Sequence, residues 1–256
     1  MKQIRSAALG AAMLLSVALN AQAAGGAHPH WAYDGAHGPS EWGKLAAAYG
    51  LCSKGTTQSP IDIRDGVGLD LPDLKFDYRP SKFTVVNNGH TIQVAYSAGG
   101  TLTHLGKAYQ LVQLHFHRPS EERINGKSFA MVAHLVHKDA SGNLAVVAAL
   151  MDPGPENPFI QQVWNHLPLL VNEPVAPESP MIDLNQLLPA ERGYFNYMGS
   201  LTTPPCSENV LWFVLQKPVN VSEEQIAVFS KIYPNNARPI QPTNARLIKE
   251  SRPANR

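Results

Sequence analysis

The chain is 256 residues long and carries 21 Lys and Arg against 20 Asp and Glu, a formal net charge of +1. That near-neutral balance excludes the basic footprint of a nucleic-acid binder and gives no attraction to an anionic membrane surface. The length suits one large domain with a substantial core.

The chain opens with Lys2 and Arg5, an apolar stretch from Ala7 to Leu19, then small residues at Ala21 and Ala23. This is the order of a secretory signal peptide, and the apolar stretch is short for a membrane span. Residues 1–23 are therefore expected to be removed, leaving 24–256 as one exported domain with 19 basic and 20 acidic residues. Prolines and charges interrupt every later hydrophobic run, so no span is expected in the mature protein. A short signal of this kind points to the periplasm, with the extracellular space as the alternative. Cys52 and Cys206 are the two cysteines. In an exported protein their default reading is one disulfide, tying the first third of the chain to its last fifth; two buried free thiols are the alternative.

From Phe83 to Met151 the runs FTVVN, HTIQVAY, AYQLVQLHFH, FAMVAHLVH and LAVVAALM follow one another, separated by NNG, AGG, NGK and ASGN. Short apolar runs between turn clusters read as strands, and adjacent runs most simply pair as antiparallel hairpins in a meandering sheet. Asn157-Pro158 before Phe159, Val163, Trp164 and Leu167 predicts a capped amphipathic helix with proline at its first position. Ser222 with Gln225 is a capping-box pair, followed by an apolar stripe of Ile226, Phe229 and Tyr233. The stretch VNEPVAPESPM between them reads as a surface loop, and no change of pattern marks a second core.

Within the sheet pattern, QLHFHRPSEE (113–122) puts two histidines one residue apart on a strand. A buried strand avoids imidazoles that lack hydrogen-bond partners or a metal. Residues two apart share a strand face, so Gln113, His115 and His117 stand in one row, and His134 on the next strand is placed to lie alongside. Three imidazoles with a fourth position left open form the ligand set of a catalytic zinc site. Gln113 adds a side-chain amide oxygen able to accept the second ring N–H of a ligand. Copper or another divalent cation remains an alternative, as do histidines satisfied only by backbone groups.

QLHFHRPSEE and AHLVH, with NNGHTIQV upstream and SLTTPPCSENVLWFVL downstream, resemble the alpha class of carbonic anhydrases in its bacterial exported form. HWAYDGAHGPSEWG, QSPIDI and NNARPIQPTNAR are also similar to family segments, in the family's order, so the resemblance spans nearly all of 24–256. It implies a mainly β, β-dominated α+β single domain with a large twisted, mostly antiparallel central sheet and a few short peripheral helices. It implies reversible hydration of carbon dioxide to bicarbonate and a proton by zinc-bound hydroxide, with Zn2+ as cofactor and carbon dioxide and bicarbonate as small-molecule partners.

Residue by residue, the resemblance makes His115, His117 and His134 the zinc ligands. Thr202 becomes the hydroxyl that orients the hydroxide, and Glu121 the acid that receives the threonine's hydrogen. His90 becomes the proton shuttle. Val136, Val146, Leu201 and Trp212 match the apolar wall that holds carbon dioxide, and Thr203 matches a residue of the product site. By pattern alone Thr202 is a threonine in a proline-bounded turn, Glu121 a surface glutamate, His90 an inert loop-edge histidine and the apolar four ordinary core residues.

The chain also departs from the family. Two residues before the third ligand, where the family has a glutamate accepting from that histidine, stands Val132. His134 is then expected to find another acceptor, such as water or a backbone carbonyl, or zinc to bind more weakly. Arg118 and Glu122 differ as well, and are expected only to alter the hydrogen bonds around Glu121. His28, His30 and His37 read as surface residues, His104 and His166 have no assigned role, and His137 is out of phase with His134 and should point away from the metal. Ester hydrolysis is a plausible side activity, while the absence of an H-E-x-x-H helix counts against a peptidase. A binding protein that keeps the fold without catalysis is the reading of a different class, and both monomers and homodimers fit the resemblance.

Overall fold

The structure, a computed structural model, describes residues 29–97 and 99–252. The expected signal peptide and His28 lie outside the described residues. Among those described, no helix is long and apolar enough to cross a membrane.

The strands in chain order are β1 (Asp62–Ile63), β2 (Val67–Leu69), β3 (Lys75–Tyr78), β4 (Phe83–Asn87), β5 (Ile92–Tyr96), β6 (Gly100–His104) and β7 (Lys107–His117). They continue as β8 (Arg123–Ile124), β9 (Met131–Lys138), β10 (Leu144–Pro153), β11 (Tyr194–Ser200), β12 (Glu208–Leu215), β13 (Val219–Val221) and β14 (Lys249–Ser251). Twelve of them form one sheet whose main path runs β2, β14, β11, β12, β10, β9, β7, β5, β4, while β1 and β8 pair separately. The expected hairpin pairings β4/β5, β5/β7, β7/β9 and β9/β10 are all present and antiparallel. The sheet is nevertheless mixed, because β10 pairs in parallel with β12 and β13, and β14 with β2. Such pairs join segments far apart in sequence, as Val146 with Trp212, and no local turn signals them.

Strand alternation sorts the sheet's side chains into two cores. Leu114, Phe116, Leu135, Val147 and Phe213 belong to the larger one, which is closed by Phe159 and Phe229 from helices α3 (Pro158–Trp164) and α4 (Glu223–Ile232). Both helices start as expected. Asn157 accepts from the Ile160 N–H at 3.1 Å ahead of Pro158, and Ser222 and Gln225 close a reciprocal capping box. The opposite face carries a smaller core of Val132, Val136, Val146, Ala148, Trp212 and Val214. Each Val, Leu or Phe among them stabilises the fold by about 1.5–3 kcal/mol on full burial. Two four-residue helices not expected from the sequence, α1 (Trp42–Leu45) and α2 (Leu51–Lys54), are too short to show an apolar period.

One irregularity decides which face the histidines occupy. In the β7/β9 ladder Leu111 faces His137 but Gln113 faces Val136, so Val112 is an extra, exposed residue. Before this bulge Tyr109 and Leu111 pack on the larger core; after it Leu114 and Phe116 do. A one-residue insertion swaps the faces of everything beyond it. Gln113, His115 and His117 are thereby turned out of the larger core onto the side of Val136 and Trp212.

Candidate metal centre

His115 and His134 are direct cross-strand partners, and His117 faces Val132. Ring centroids are 5.0 Å apart for His115 and His117, 5.4 Å for His115 and His134, and 4.7 Å for His117 and His134. One ring nitrogen from each lies within 4.8 Å of the others. The second nitrogen of each is occupied: His115 Nδ1 donates to Gln113 Oε1 (2.8 Å), His117 Nδ1 to the Asn236 carbonyl (2.7 Å) and His134 Nε2 to Glu122 Oε1 (2.9 Å). These contacts fix the tautomers, so His115 Nε2, His117 Nε2 and His134 Nδ1 are the nitrogens left to face one another.

His134 does find another acceptor, and its identity corrects the expectation that Glu122 would alter only the hydrogen bonds around Glu121. It is neither water nor a backbone carbonyl but the carboxylate of Glu122, which is fully buried. Asn236 lies in a stretch similar to a family segment but has no role expected from the sequence. Its fully buried side chain accepts from the Arg118 N–H at 2.8 Å and donates to the carbonyls of Phe116 and His90 at 2.9 and 3.1 Å, locking the end of β7 against the loop after α4. An asparagine in an irregular stretch carries no local sign of this, since its partners lie more than a hundred residues away.

Burial, then the positive charge of His134, pushes the His115 imidazole down to about 3. Burial and the charges of His134 and His115 hold His117 well below the ordinary histidine value. Burial also acts to lower His134, but the charge and hydrogen bond of Glu122 and the charge of Glu121 outweigh it and raise its pKa. Two of the three rings are therefore neutral at pH 7, the state in which imidazole binds metal.

Glu121 is buried beside the cluster, with Oε2 at 3.5 Å from His117 Nε2 and 3.7 Å from His134 Nδ1. Its Oε1 accepts from the Arg238 backbone N–H at 2.7 Å, and the Thr202 hydroxyl bonds to the same carboxylate. Burial raises its pKa to about 7, with the His134 charge opposing and the Glu122 charge adding to the rise. It is not a surface glutamate.

Thr202 and Thr203 lie between β11 and β12, in a loop pinned at its far end by the Cys52–Cys206 disulfide, whose Cα atoms are 5.0 Å apart. Arg238, buried, donates from its guanidinium to Gln58 Oε1, Ser59 O and Cys52 O, so the segment that positions Glu121 also holds the disulfide-bearing helix. Val136, Val146 and Trp212 are buried together in the smaller core with Leu201 packed against them, and the Trp212 ring stands 4.9 Å from His134.

His90 sits in the turn between β4 and β5, its ring stacked on Trp31 at 3.7 Å. Burial, then the charge of His30, lowers its pKa below the ordinary histidine value. His30 and His37 are exposed, as expected, with rings 5.6 Å apart. His137 points away from the cluster and bonds Tyr78 Oη at 2.7 Å, while His166 Nδ1 donates to the Gln162 carbonyl at the end of α3.

The donor set fits zinc. The cluster consists of nitrogen ligands only, and His117 Nε2 is a buried polar atom with no hydrogen-bond partner among the described residues. Such an orphan is costly unless an ion or other partner meets it. Three imidazoles, each backed by an acceptor, are the arrangement of a catalytic zinc centre.

The eukaryotic-type carbonic anhydrase family model matches residues 37–252. A carbonic anhydrase of Neisseria gonorrhoeae is 43% identical over 244 residues, covering 94% of this chain and 96% of the relative. A hyperthermostable carbonic anhydrase from an active hydrothermal vent chimney superposes with a TM-score of 0.84 at 42% identity, covering 87% of this chain and 100% of that one. The alpha-carbonic anhydrase of Thermovibrio ammonificans, solved with the inhibitor sulfanilamide, does so with a TM-score of 0.83 at 43% identity, covering 88% and 99%. By fold, by sequence over almost its whole length and by a three-histidine centre, the chain belongs to the alpha-class carbonic anhydrases, a family of zinc lyases.

Proposed function

We propose that the chain carries out the reversible hydration of carbon dioxide to bicarbonate and a proton, with His115, His117 and His134 holding zinc. The observation that carries this is the convergence of three imidazoles, His117 and His134 buried and His115 partly so, whose other nitrogens are all engaged, beside a Thr202–Glu121 pair. Zinc on three neutral ligands lowers the pKa of bound water to about 7, a value for which carbonic anhydrase is itself the standard example.

The chain's own residues do the rest. Arg238 N–H fixes Glu121, and Glu121 takes the Thr202 hydrogen. Thr202 Oγ then presents only lone pairs to the site. It accepts a hydrogen bond from the attacking oxygen and selects a nucleophile that carries a hydrogen, aiming its lone pair at the substrate carbon. Val136, Val146, Leu201 and Trp212 form an apolar wall suited to a substrate with no charge to grip, and Thr203 is assigned to the product site. His90, with its lowered pKa, is mostly neutral at pH 7 and accepts the product proton; below that pKa it is already charged and the relay stops. The order of the first 23 residues supports export, and the periplasm is the proposed location.

The test follows pH after rapid mixing with carbon dioxide, using protein of measured zinc content, with and without a chelator or sulfanilamide. Acceleration that follows zinc and is blocked by the sulfonamide is expected. No acceleration by a sample holding one zinc per chain would replace the enzyme by a binding module of the same fold.

A further inference from the structure

The three contacts behind the cluster differ in charge. His115 is held by an amide oxygen and His117 by a backbone carbonyl, both neutral, whereas His134 is held by a carboxylate. Glu122 comes from the loop after β7, is 0% exposed, and its second oxygen has no hydrogen-bond partner among the described residues. On His134's own strand, the position two residues earlier on the same face is Val132, also 0% exposed and part of the smaller apolar core. Gln113 shows what a polar residue at that offset does: from two positions before His115 it reaches His115 Nδ1 at 2.8 Å. β9 offers His134 nothing comparable, and a different segment supplies the acceptor.

We propose that Glu122 is the positioning residue of the metal centre, a loop-borne carboxylate that orients His134 where the strand itself provides no acceptor. By accepting from Nε2 it leaves Nδ1 as the lone-pair nitrogen turned toward His115 and His117. An anionic acceptor also raises the basicity of the ring it holds, making His134 the strongest donor of the three. The consecutive residues Glu121 and Glu122 then do separate work on opposite sides of one imidazole: the first is tied to Arg238 and Thr202, the second to His134 Nε2. This assignment rests on the zinc reading above and makes Glu122 no part of the bond-making chemistry.

The test is zinc affinity by chelator competition on the full exported chain, wild type beside Glu122→Ala, Glu122→Gln and Glu122→Gln/Val132→Glu, with near-ultraviolet circular dichroism to establish folding. Glu122→Ala is expected to weaken zinc by about 10–100-fold. The double variant, which moves the carboxylate to the Gln113-like offset, is expected to bind more tightly than Glu122→Gln. A measurement on the wild type alone supplements these: nitrogen-15 NMR of the zinc-loaded protein should show the His134 proton on Nε2. Folded Glu122 variants that hold zinc as tightly as wild type, a double variant no tighter than Glu122→Gln, or a His134 proton on Nδ1 would each overturn the assignment. A wild type that binds no stoichiometric zinc defeats the metal-centre reading itself; wild-type binding that His115→Ala abolishes and the Glu122 variants leave unchanged defeats only the role of Glu122.

Discussion

His134 and His137 lie three residues apart on β9, and both are almost wholly buried, yet they show opposite behaviour. His134 faces the smaller core, where two carboxylates raise its pKa despite burial. His137 faces the larger core, where burial pushes it down to about 4 and its ring bonds Tyr78. The difference teaches that burial alone pushes a histidine toward its neutral form, that buried carboxylates reverse the push, and that strand parity decides which environment each residue meets. The same contrast holds for the two faces of the sheet: one is closed by helices on an apolar core, the other by loops, a disulfide and polar side chains.

Breaking the parity should have the largest effect. Exchanging Leu114 with His115 and Phe116 with His117 keeps the bulge and the composition but turns both imidazoles into the larger core. Loss of stoichiometric zinc by metal analysis is expected, with more than about 4 kcal/mol of destabilisation from buried unpaired imidazoles. Retained zinc would show that the bulge merely moves along the strand.

The next perturbation separates the faces by what closes them. Replacing Cys52 and Cys206 by serine releases a bridge spanning 154 residues, costing up to about 5 kcal/mol. Hydrogen exchange should rise first around Thr202 and Thr203 and least in α3 and α4; uniform loosening would count against the division.

Acid sharpens the comparison further. A histidine with a depressed folded pKa binds fewer protons than its unfolded counterpart, so its stabilisation is present above about 6.5 and is lost as pH falls toward 4. For His137 alone, the drop from the ordinary histidine value to about 4 amounts to about 3 kcal/mol. His134, with its raised value, contributes in the opposite sense, stabilising below 6.5 and losing that contribution as pH rises. Urea unfolding of the metal-free protein between pH 7 and 4 should show stability falling, and His137→Gln should flatten that slope while Tyr78 keeps a partner. An unchanged slope would place the acid sensitivity elsewhere. The smallest effect is expected from Val112→Ala, which keeps the bulge and alters one exposed side chain; a melting-temperature change equivalent to more than about 0.5 kcal/mol would mean the residue does more than fill the insertion.

Much of the fold was legible in the sequence because its causes are local. Turn clusters between short apolar runs specified the hairpins from β4 to β10, and Asn157 and Ser222 marked where α3 and α4 begin. Strand β6 was hidden because its first residue, Gly100, read as part of a turn, which left only the four residues 101–104 after it. The histidines were visible for the same local reason: Gln113, His115 and His117 repeat with the strand period.

By itself, then, the amino-acid order determined the hairpins, the helix starts and the set of three imidazoles, since each depends on neighbours within a few residues. Only the folded chain decided the rest. The bulge at Val112 chose the face, Asn236 and Arg238 arrived from more than a hundred residues away to lock His117 and Glu121, and Glu122 rather than a strand neighbour met His134. The physical reason is that a side chain's partner across a closed sheet is set by register and loop closure, which carry no signature within the stretch that bears the residue.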